Sequence, residues 1–269
     1  MQNTNYYNYF FDSSKITKEI AYTLGLMWAD GYIYPRQNSI SITCIKSDLD
    51  DVTDVITKTA NWKKYIRKAK GVRKEQLTFM IHNKNFCELL AEYKYVSKKY
   101  DSANAIIKII PIELQKYWWR GFLDGDGCIY TTKNYQVFFT SALNQDWSFI
   151  DLLPIKVNWK IIKKETNKGS YSRRLLNNKK DCLILLNYIY DDYENDKIGF
   201  TRKYAKFLEV KKQKIKKFRG KGYYLNKKVN KWCARITINN KEIALGYFKT
   251  EDEAKKAVLN KRKELILKK

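Results

Sequence analysis

Two similar stretches, GLMWADGYIY at residues 25–34 and GFLDGDGCIY at residues 121–130, lie 96 positions apart in this chain. They share a glycine, an aspartate, a second glycine, an isoleucine and a tyrosine at the same places. Self-similarity at a fixed spacing indicates a duplicated unit, here of about 100 residues. The sequence therefore predicts two halves, at about 14–110 and 111–210. The matched residues are Gly25, Asp30, Gly31, Ile33 and Tyr34, and Gly121, Asp126, Gly127, Ile129 and Tyr130.

The hydrophobic pattern predicts the same kinds of element in both halves. Apolar residues recur at a helical period over residues 14–29, with Ser13 or Ser14 as the N-cap. The counterpart helix begins at Pro111, a favoured first-turn residue, and runs to about Asp124. This arrangement predicts an α+β fold with twofold pseudo-symmetry. The other predicted elements are strands at 40–44, 75–81 and 158–165, and helices at 48–58, 84–94, 145–152, 179–190 and 199–210.

Composition excludes several classes of protein. The chain of 269 residues carries 53 Lys and Arg against 28 Asp and Glu, a net charge of +25, which favours nucleic acid or an anionic membrane surface as partner. It has no apolar run of the roughly 18 residues that a transmembrane helix needs, and no signal-peptide pattern at its start. Five cysteines without a C-x-x-C pair argue against a zinc ribbon or a disulfide framework and predict a reducing, intracellular compartment. His82 is the only histidine, which argues against a nuclease built on histidine ligands or a histidine general base.

The basic charge is concentrated at the C-terminal end. Residues 211–269 hold 20 basic and 5 acidic side chains, a net charge of +15. We interpret residues 211–222 as a basic linker between a body at 1–210 and a tail domain at 223–269, although a solvated helix end is an equal alternative for that run. The tail alternates around turns at 228–231 and 239–240, which predicts three short strands. A helix follows from about Glu251, with Thr250 as N-cap and Glu253 at the capping-box position.

The repeated Asp-Gly pairs carry the candidate chemistry. A single Asp-Gly at a helix end is usually structural, because glycine supplies the left-handed turn there. Here it occurs twice, and a mid-helix glycine precedes each aspartate by five residues although glycine costs a helix about 1 kcal/mol. If Gly25 and Gly121 let the two helices touch, Asp30 and Asp126 meet at the pseudo-twofold axis. Paired carboxylates beside carbonyls suit Mg²⁺ or Mn²⁺, which predicts metal-assisted phosphodiester hydrolysis.

TLGLMWADG (residues 23–31) and WRGFLDGDG (residues 119–127) resemble the two signature helices of single-chain LAGLIDADG homing endonucleases, and the resemblance covers about residues 14–210. It implies duplicated αββαββα units with two saddle-shaped antiparallel sheets over the DNA major groove, and a double-strand break with short 3′ overhangs. It implies that Asp30 and Asp126 bind the metal, with the carbonyls of Ala29 and Gly125. Trp28 departs from the family's motif, in which an acid is common at this position. The equivalent residue of the second repeat, Asp124, is such an acid.

The same resemblance implies assisting lysines and a basic DNA-reading face. The similarity between KKY at residues 98–100 and RKY at residues 202–204 points to Lys99 and Lys203 as these lysines. The alternative is that both are ordinary solvent-facing lysines. The basic residues of the exposed strand faces are expected to hold phosphates and reach base edges, although a solvated charge is the alternative for each one. These residues are Arg36, Lys46, Arg67, Lys68, Lys70, Arg73 and Lys74 in the first half, and Lys133, Lys163, Lys164, Arg173 and Arg174 in the second.

The tail resembles the DNA-binding domain of plant ethylene-response factors, through KWCARI at residues 231–236 and LGYF at residues 245–248. In that fold the sheet enters the major groove. The resemblance therefore implies Lys227, Lys228, Trp232 and Arg235 as DNA contacts, with a core position as the alternative for Trp232.

Together these features predict a monomeric, site-specific endonuclease that cuts double-stranded DNA and moves an intron or intein in a phage, bacterium or organelle. No membrane partner is expected. Two alternatives remain open at this stage: an RNA maturase that binds intron RNA, and a non-cleaving DNA-binding regulator. Retention of both acids favours the nuclease over the regulator.

Overall fold

The computed structural model describes residues 7–69, 75–96, 103–131, 135–167, 169–212, 221–238 and 241–267. Contacts within the chain divide it into two compact units, Met1–Gln213 and Lys214–Lys269. Of the helices in the described ranges, none is long and apolar enough to cross a membrane.

The first half of the larger unit forms one four-stranded antiparallel sheet with its helices. The sheet order is β1-β2-β4-β3, so the two hairpins meet through β2 and β4. The elements are α1 (Lys18–Asp30), β1 (Gly31–Tyr34), β2 (Ser39–Ile45), α2 (Leu49–Thr59), β3 (Lys63–Arg67), β4 (Gln76–His82), α3 (Lys84–Glu92) and α4 (Asn104–Ile109).

The second half repeats this plan. Its sheet order, β5-β6-β8-β7, is the same order one repeat later, which confirms the predicted duplicated α+β fold. The elements are α5 (Gln115–Asp126), β5 (Gly127–Tyr130), β6 (Gln136–Ser141), β7 (Lys160–Thr166), β8 (Gly169–Leu176), α6 (Lys179–Tyr190), α7 (Tyr193–Asp196) and α8 (Thr201–Lys212).

One hydrophobic core joins both halves and gives each sheet two distinct faces. Side chains alternate across a strand, so in β4 Phe79 and Ile81 are buried while Thr78 and Met80 are only half-buried. We call the side with the buried residues the helix-facing side and the other the open face. The helices α1 and α5 are buried over nearly their whole length within the core.

The structure corrects four local predictions. Thr17 caps α1, not Ser13 or Ser14, because the Asp12 carboxylate engages Ser14 in a separate turn. The helix α5 begins at Gln115 because residues 111–114 form a turn of their own. The helix expected at 145–152 is only a 3-10 helix, Ser148–Leu152, which Pro154 follows closely.

The fourth correction concerns how the central helices end. Gly31 has φ −76° and Gly127 has φ −92°, so neither adopts the predicted left-handed conformation. Both glycines are instead required by space. A Cβ at Gly31 would lie 2.3 Å from the Tyr95 hydroxyl, and one at Gly127 would lie 2.5 Å from the carbonyl oxygen of Leu123.

A buried arginine network distinguishes the second half. Arg120 is fully buried in α5 and donates to Asp192 at 2.9 Å, to Asp196 at 3.1 Å and to the carbonyl of Ile189 at 2.8 Å. The residue one repeat earlier, Leu24, is apolar and equally buried. Every charged atom of this network has a partner, which a buried guanidinium requires.

The smaller unit is a three-stranded antiparallel sheet with one helix, as predicted. Its sheet order is β11-β10-β9, and its core contains Ala234, Ile236, Ala254 and Val258. The capping box at its helix is present: the amide of Glu253 donates to the Thr250 hydroxyl, and the amide of Thr250 donates to the Glu253 carboxylate, both at 3.2 Å. The elements are β9 (Tyr223–Asn226), β10 (Lys231–Ile238), β11 (Lys241–Phe248) and α9 (Glu251–Leu267).

Candidate metal and nucleic-acid sites

The two central helices touch through their backbones. A Cβ at Gly25 would lie 2.0 Å from the carbonyl oxygen of Trp118, and one at Gly121 would lie 2.2 Å from the carbonyl oxygen of Tyr22. Real Cβ atoms cannot approach so closely, so only glycine permits this packing at either position. The structure thus places both predicted packing glycines at the contact between the repeats.

The same contact continues to the C-terminal ends of the helices. A Cβ at Gly125 would lie 2.4 Å from the Ala29 side chain and 2.9 Å from an oxygen of the Asp30 carboxylate. Residue numbers increase in the same direction along both helices of the contact, so the helices are parallel and their ends meet. Asp30 therefore lies against the residue that precedes Asp126. Asp30 is exposed and Asp126 is half-buried, so solvent reaches both acids.

These ends offer oxygen ligands that suit a hard divalent cation. Two carboxylates stand at the negative poles of two helices, where a cation is favoured electrostatically. The described residues contain no cluster of three or more His, Cys, Asp or Glu side chains able to hold a metal ion. That is compatible with Mg²⁺, which commonly binds proteins through one or two carboxylates and completes its shell with water and substrate phosphate. The missing Cβ of Gly125 also lets the Asp30 carboxylate approach the backbone of α5.

Of the two predicted assisting lysines, only Lys203 lies within the described residues; Lys99 lies outside them. Lys203 is buried, and its ammonium donates to the carbonyl of Leu123 at 3.0 Å and to the carbonyl of Gly127. Burial lowers its pKa, while the Asp124 carboxylate acts in the opposite direction. Its hydrogen bonds thus go to the end of α5, although its sequence pattern predicted a solvent-facing or catalytic side chain.

Asp124, the acid that Trp28 replaces in the first repeat, is buried beneath the helix ends. Its carboxylate accepts hydrogen bonds from the Tyr22 hydroxyl at 2.9 Å, the Tyr190 hydroxyl at 3.2 Å and the amide of Phe200 at 2.8 Å. Burial raises the pKa of this carboxyl to about 6, with Lys203 the largest opposing influence. Asp124 therefore links the two central helices to α6 and to the start of α8.

The open face of the first sheet carries one of the predicted DNA contacts, Arg67. The strand β3 pairs with β4 in a register that sets Arg67 opposite Gln76 and Lys63 opposite Met80, on the open face. Arg36, Lys46 and Lys68 lie outside the strands, Arg36 and Lys46 in 3-10 helices and Lys68 just beyond β3; all three are exposed. Lys46 is paired with Glu75 at 3.0 Å. The predicted contacts Lys70, Arg73 and Lys74 lie outside the described residues.

In the second sheet, strand alternation separates the neighbouring basic residues. Arg173 pairs with Thr140 on the open face, whereas Arg174 pairs with the buried Phe139 on the helix-facing side. By the same register Lys164 lies on the open face, and Lys163 shares the helix-facing side with the buried Ser172. Consecutive residues of a strand point to opposite faces, so each predicted pair supplies one open-face cation. Lys133 lies outside the described residues.

Local contacts hold the Arg173 side chain in place. Its Nε donates to the Thr140 hydroxyl at 3.0 Å, and its guanidinium lies 3.9 Å from the centre of the Phe138 ring. Burial, by contrast, lowers the pKa of Arg174. Arg173 is therefore a preorganised cation on an accessible surface.

In the smaller unit, two of the predicted DNA contacts likewise lie on opposite sides of the sheet. Trp232 packs with Tyr223 against the core on the helix side of the sheet, which is the alternative left open by its sequence. Arg235 is exposed, with its guanidinium 4.9 Å from the Tyr224 ring centre and paired with Glu242 at 3.0 Å. Lys227 and Lys228 are exposed in the turn between β9 and β10.

Sequence patterns missed several residues of these surfaces. The strand β3 was not predicted, because all five of its residues are exposed and no apolar alternation marks it. The alternation of Lys63, Tyr65 and Arg67 was the available signal. Other open-face residues that the patterns missed are Tyr32, Tyr130, Lys160 and Tyr171.

Comparison with known proteins gives matches by structure alone. No family model matches the sequence, and no curated protein matches it. Among the solved structures that match the fold are the LAGLIDADG homing endonuclease I-SmaMI bound to cleaved DNA (13% identity, TM-score 0.44), the LAGLIDADG homing endonuclease I-GzeII with its DNA target (12%, 0.47), and the homing endonuclease I-WcaI bound to its DNA recognition sequence (16%, 0.48). The matches cover 75%, 73% and 72% of this chain, and 89% of each of the other chains.

Proposed function

We propose that this protein is a site-specific DNA endonuclease that needs a divalent metal and breaks both strands of a duplex. The observation that carries the proposal is the meeting of two acid-bearing helix ends, from two repeats, through contacts that only glycine allows. Such a pair offers one carboxylate for each strand of a substrate that is itself pseudo-twofold. A monomer suffices, because the two repeats within one chain already supply both acids.

The proposed metal is Mg²⁺ or Mn²⁺, held by Asp30 and Asp126 with the carbonyl oxygens of Ala29 and Gly125. When bound, the metal would polarise the scissile phosphate and help to activate water. The chain's own task is to hold the two carboxylates close together in spite of their repulsion. The backbone contacts at Gly25 and Gly121 fix the helices on which they stand.

The proposed substrate is double-stranded DNA, for reasons of charge and shape. The net charge of +25 suits a polyanion, and each antiparallel sheet presents an open face with at least one basic residue on it. A β-ribbon fits the major groove, where base edges differ between all four base pairs. Arg67, Lys164 and Arg173 are the proposed contacts on these faces.

We propose the smaller unit as an accessory DNA-binding domain of the ethylene-response-factor type. Its exposed cation, Arg235, lies over an exposed tyrosine ring on the side of the sheet away from α9. Arginine and aromatic side chains together recognise nucleic acid through hydrogen bonds and stacking. This unit would add contacts and so lengthen the recognised site.

The test is cleavage of a complex DNA library, including the flanking sequence of the gene, in Mg²⁺ and separately in Ca²⁺, with all ends mapped. Discrete 3′-overhanging ends in Mg²⁺ support the proposal and identify the site. Tight duplex binding without ends in Mg²⁺ or Mn²⁺ would instead indicate a regulator. A preference for structured intron RNA over duplex DNA, again without ends, would indicate a maturase.

A further inference from the structure

The two central helices end in equivalent contacts made by different side chains. The Tyr95 hydroxyl donates to the carbonyl of Met27 in α1 at 2.9 Å, and the Lys203 ammonium donates to the carbonyl of Leu123 in α5 at 3.0 Å. Met27 and Leu123 are one repeat apart, and each stands three residues before its aspartate. The same carbonyl oxygen is therefore engaged in both halves, once by a phenol and once by an ammonium.

Each of these carbonyls also accepts the bond that ends its helix. The amide of Gly31 donates to the Met27 carbonyl, and the amide of Gly127 donates to the Leu123 carbonyl. A carbonyl oxygen has two lone pairs, so each of these carbonyls can accept a side-chain hydrogen bond beside the backbone one. Here the added donor fixes the final turn that carries the aspartate. The absence of a Cβ at Gly31 admits the Tyr95 hydroxyl, because that Cβ would lie 2.3 Å from it.

The two halves differ at a second position beside these donors. Where α5 has the buried acid Asp124, α1 has Trp28, whose ring centre lies 4.6 Å from that of Tyr95. The buried Lys203 therefore has the Asp124 carboxylate nearby, which favours its charged form, while the buried Tyr95 packs against the uncharged Trp28 ring. A buried charge is costly unless an opposite charge accompanies it. Lys203 is thus accompanied by a buried carboxylate, and Tyr95 is accompanied by an aromatic ring.

The donor of the first half, Tyr95, is also influenced electrostatically by the Asp30 carboxylate. The pKa of Tyr95 is raised, by burial first and then by the Asp30 carboxylate. Tyr95 is fully buried and Lys203 nearly so, which keeps both from reaching a DNA phosphate directly. Their effect on any reaction must therefore pass through the helix ends.

We propose that Tyr95 and Lys203 are a matched pair of positioning residues, each setting one aspartate of the site and thereby the cleavage rate of one DNA strand. This inference rests on the proposed endonuclease function. The hydrogen bonds described for each donor go to the end of one helix, so we expect the loss of either one to disturb one acid. Small displacements of a reacting group are enough to slow chemistry by about 100-fold.

The experiment measures both strands separately, on a duplex that carries a different fluorophore on each strand, at saturating full-length enzyme. The variants are Tyr95→Phe and the double variant Lys203→Met with Asp124→Asn, which leaves no unpaired buried charge. Because Asp124 also accepts a hydrogen bond from Tyr22 in α1, the double variant is compared with Asp124→Asn alone, and Tyr95→Phe is compared with the unaltered protein. We expect each to slow one strand by about tenfold or more while the other stays within about twofold, and we expect opposite strands for the two variants. Duplex affinity should be unchanged, so that the effect lies in kcat.

Two control variants remove similar groups away from the helix ends. Tyr93→Phe alters a tyrosine that stacks on Phe11, and Lys206→Met removes a lysine whose bond goes to the Ile129 carbonyl in β5. Both should leave the ratio of strand rates unchanged. Equal slowing of both strands by Tyr95→Phe and by the double variant, or slowing of the same strand by both, would overturn the positioning proposal.

A second readout does not need cleavage. Amide hydrogen exchange should quicken several-fold at residues 27–31 in Tyr95→Phe, and at residues 123–127 in the double variant, with the other helix end unchanged. If the unaltered protein cuts neither strand, the endonuclease function fails, and hydrogen exchange alone decides the positioning roles. Unchanged exchange at both helix ends would overturn them.

Discussion

The carbonyl oxygen of Trp118 lies 2.0 Å from the point where a Cβ at Gly25 would stand, so the two central helices meet backbone to backbone. The reciprocal contact, Gly121 against Tyr22, makes the packing symmetric between the repeats. Because the helices are this close, their C-terminal aspartates converge. The position of the proposed metal site thus depends on two glycines that lie a full turn or more away from it.

The substitution Gly25→Ala should destabilise the protein by at least about 2 kcal/mol, despite the better helix propensity of alanine. The added methyl group would meet backbone atoms, which cannot rotate away as a flexible side chain can. Urea unfolding of the purified variant measures this cost. The control Lys180→Ala, at an exposed position of α6, should stay within about 0.5 kcal/mol of the unaltered protein. A Gly25→Ala variant as stable as this control would contradict the close helix contact.

The stability contribution of Asp124 should depend on pH. Its carboxyl has a pKa of about 6 in the folded protein, raised by burial above the ordinary 3.8. The folded state therefore holds this proton more tightly, and the stability it contributes is present below about pH 4 and lost as pH rises through about 6. The stability of the unaltered protein relative to Asp124→Asn should be greater at about pH 5 than at about pH 8.

Urea unfolding of both proteins at the two pH values measures this difference. Subtracting the variant removes the titration of the groups that Asp124 does not influence, so the difference reports Asp124 together with its neighbour Lys203. A greater relative stability of the unaltered protein at the higher pH would show that Lys203 lowers the carboxyl pKa by more than burial raises it.

Two adjacent arginines should behave differently in DNA binding. Arg173→Ala, on the open face, should weaken duplex binding by about tenfold and reduce the dependence of log affinity on log salt by about one unit. Arg174→Ala, on the helix-facing side, should leave affinity within about twofold, because its side chain lies on the opposite side of the same strand. Fluorescence anisotropy across a salt series measures both. Equal losses for the two variants would rule out the open face as the binding surface.

The smaller unit should bind DNA through the sheet side that carries Arg235. Arg235→Ala should weaken duplex affinity several-fold, with a reduced salt dependence. The matched control is Lys256→Ala, which removes an exposed cation from α9. If the two variants lose affinity equally, the unit contributes only diffuse charge and no specific sheet contact.

The central helices and the duplicated order of elements could be predicted from the sequence because the same residue pattern occurs in both halves. The 96-residue spacing aligns Gly25 with Gly121 and Asp30 with Asp126, and the structure brings these elements together. The strand β3 could not be found, because strand patterns depend on one buried face and β3 has none. The 3-10 helix Ser148–Leu152 stands where the first half has the helix α2, so the repeat does not extend to that element.

The equivalence of Tyr95 and Lys203 was also beyond sequence reasoning. They lie 108 residues apart, not 96, because the second half is longer before α8 and contains the short helix α7. They differ in chemical type as well, so no alignment by identity joins them. Only the shared carbonyl position, at Met27 and Leu123, reveals the correspondence.

The most direct test of the central claim compares Asp30→Asn and Asp126→Asn with the unaltered protein on the mapped target duplex in Mg²⁺. Asparagine keeps the size of the side chain and removes its charge, so folding and duplex affinity should persist while double-strand cleavage falls by at least about 100-fold. That result would support the two carboxylates as the metal ligands of the endonuclease. Full cleavage by either variant, with normal binding, would contradict the account.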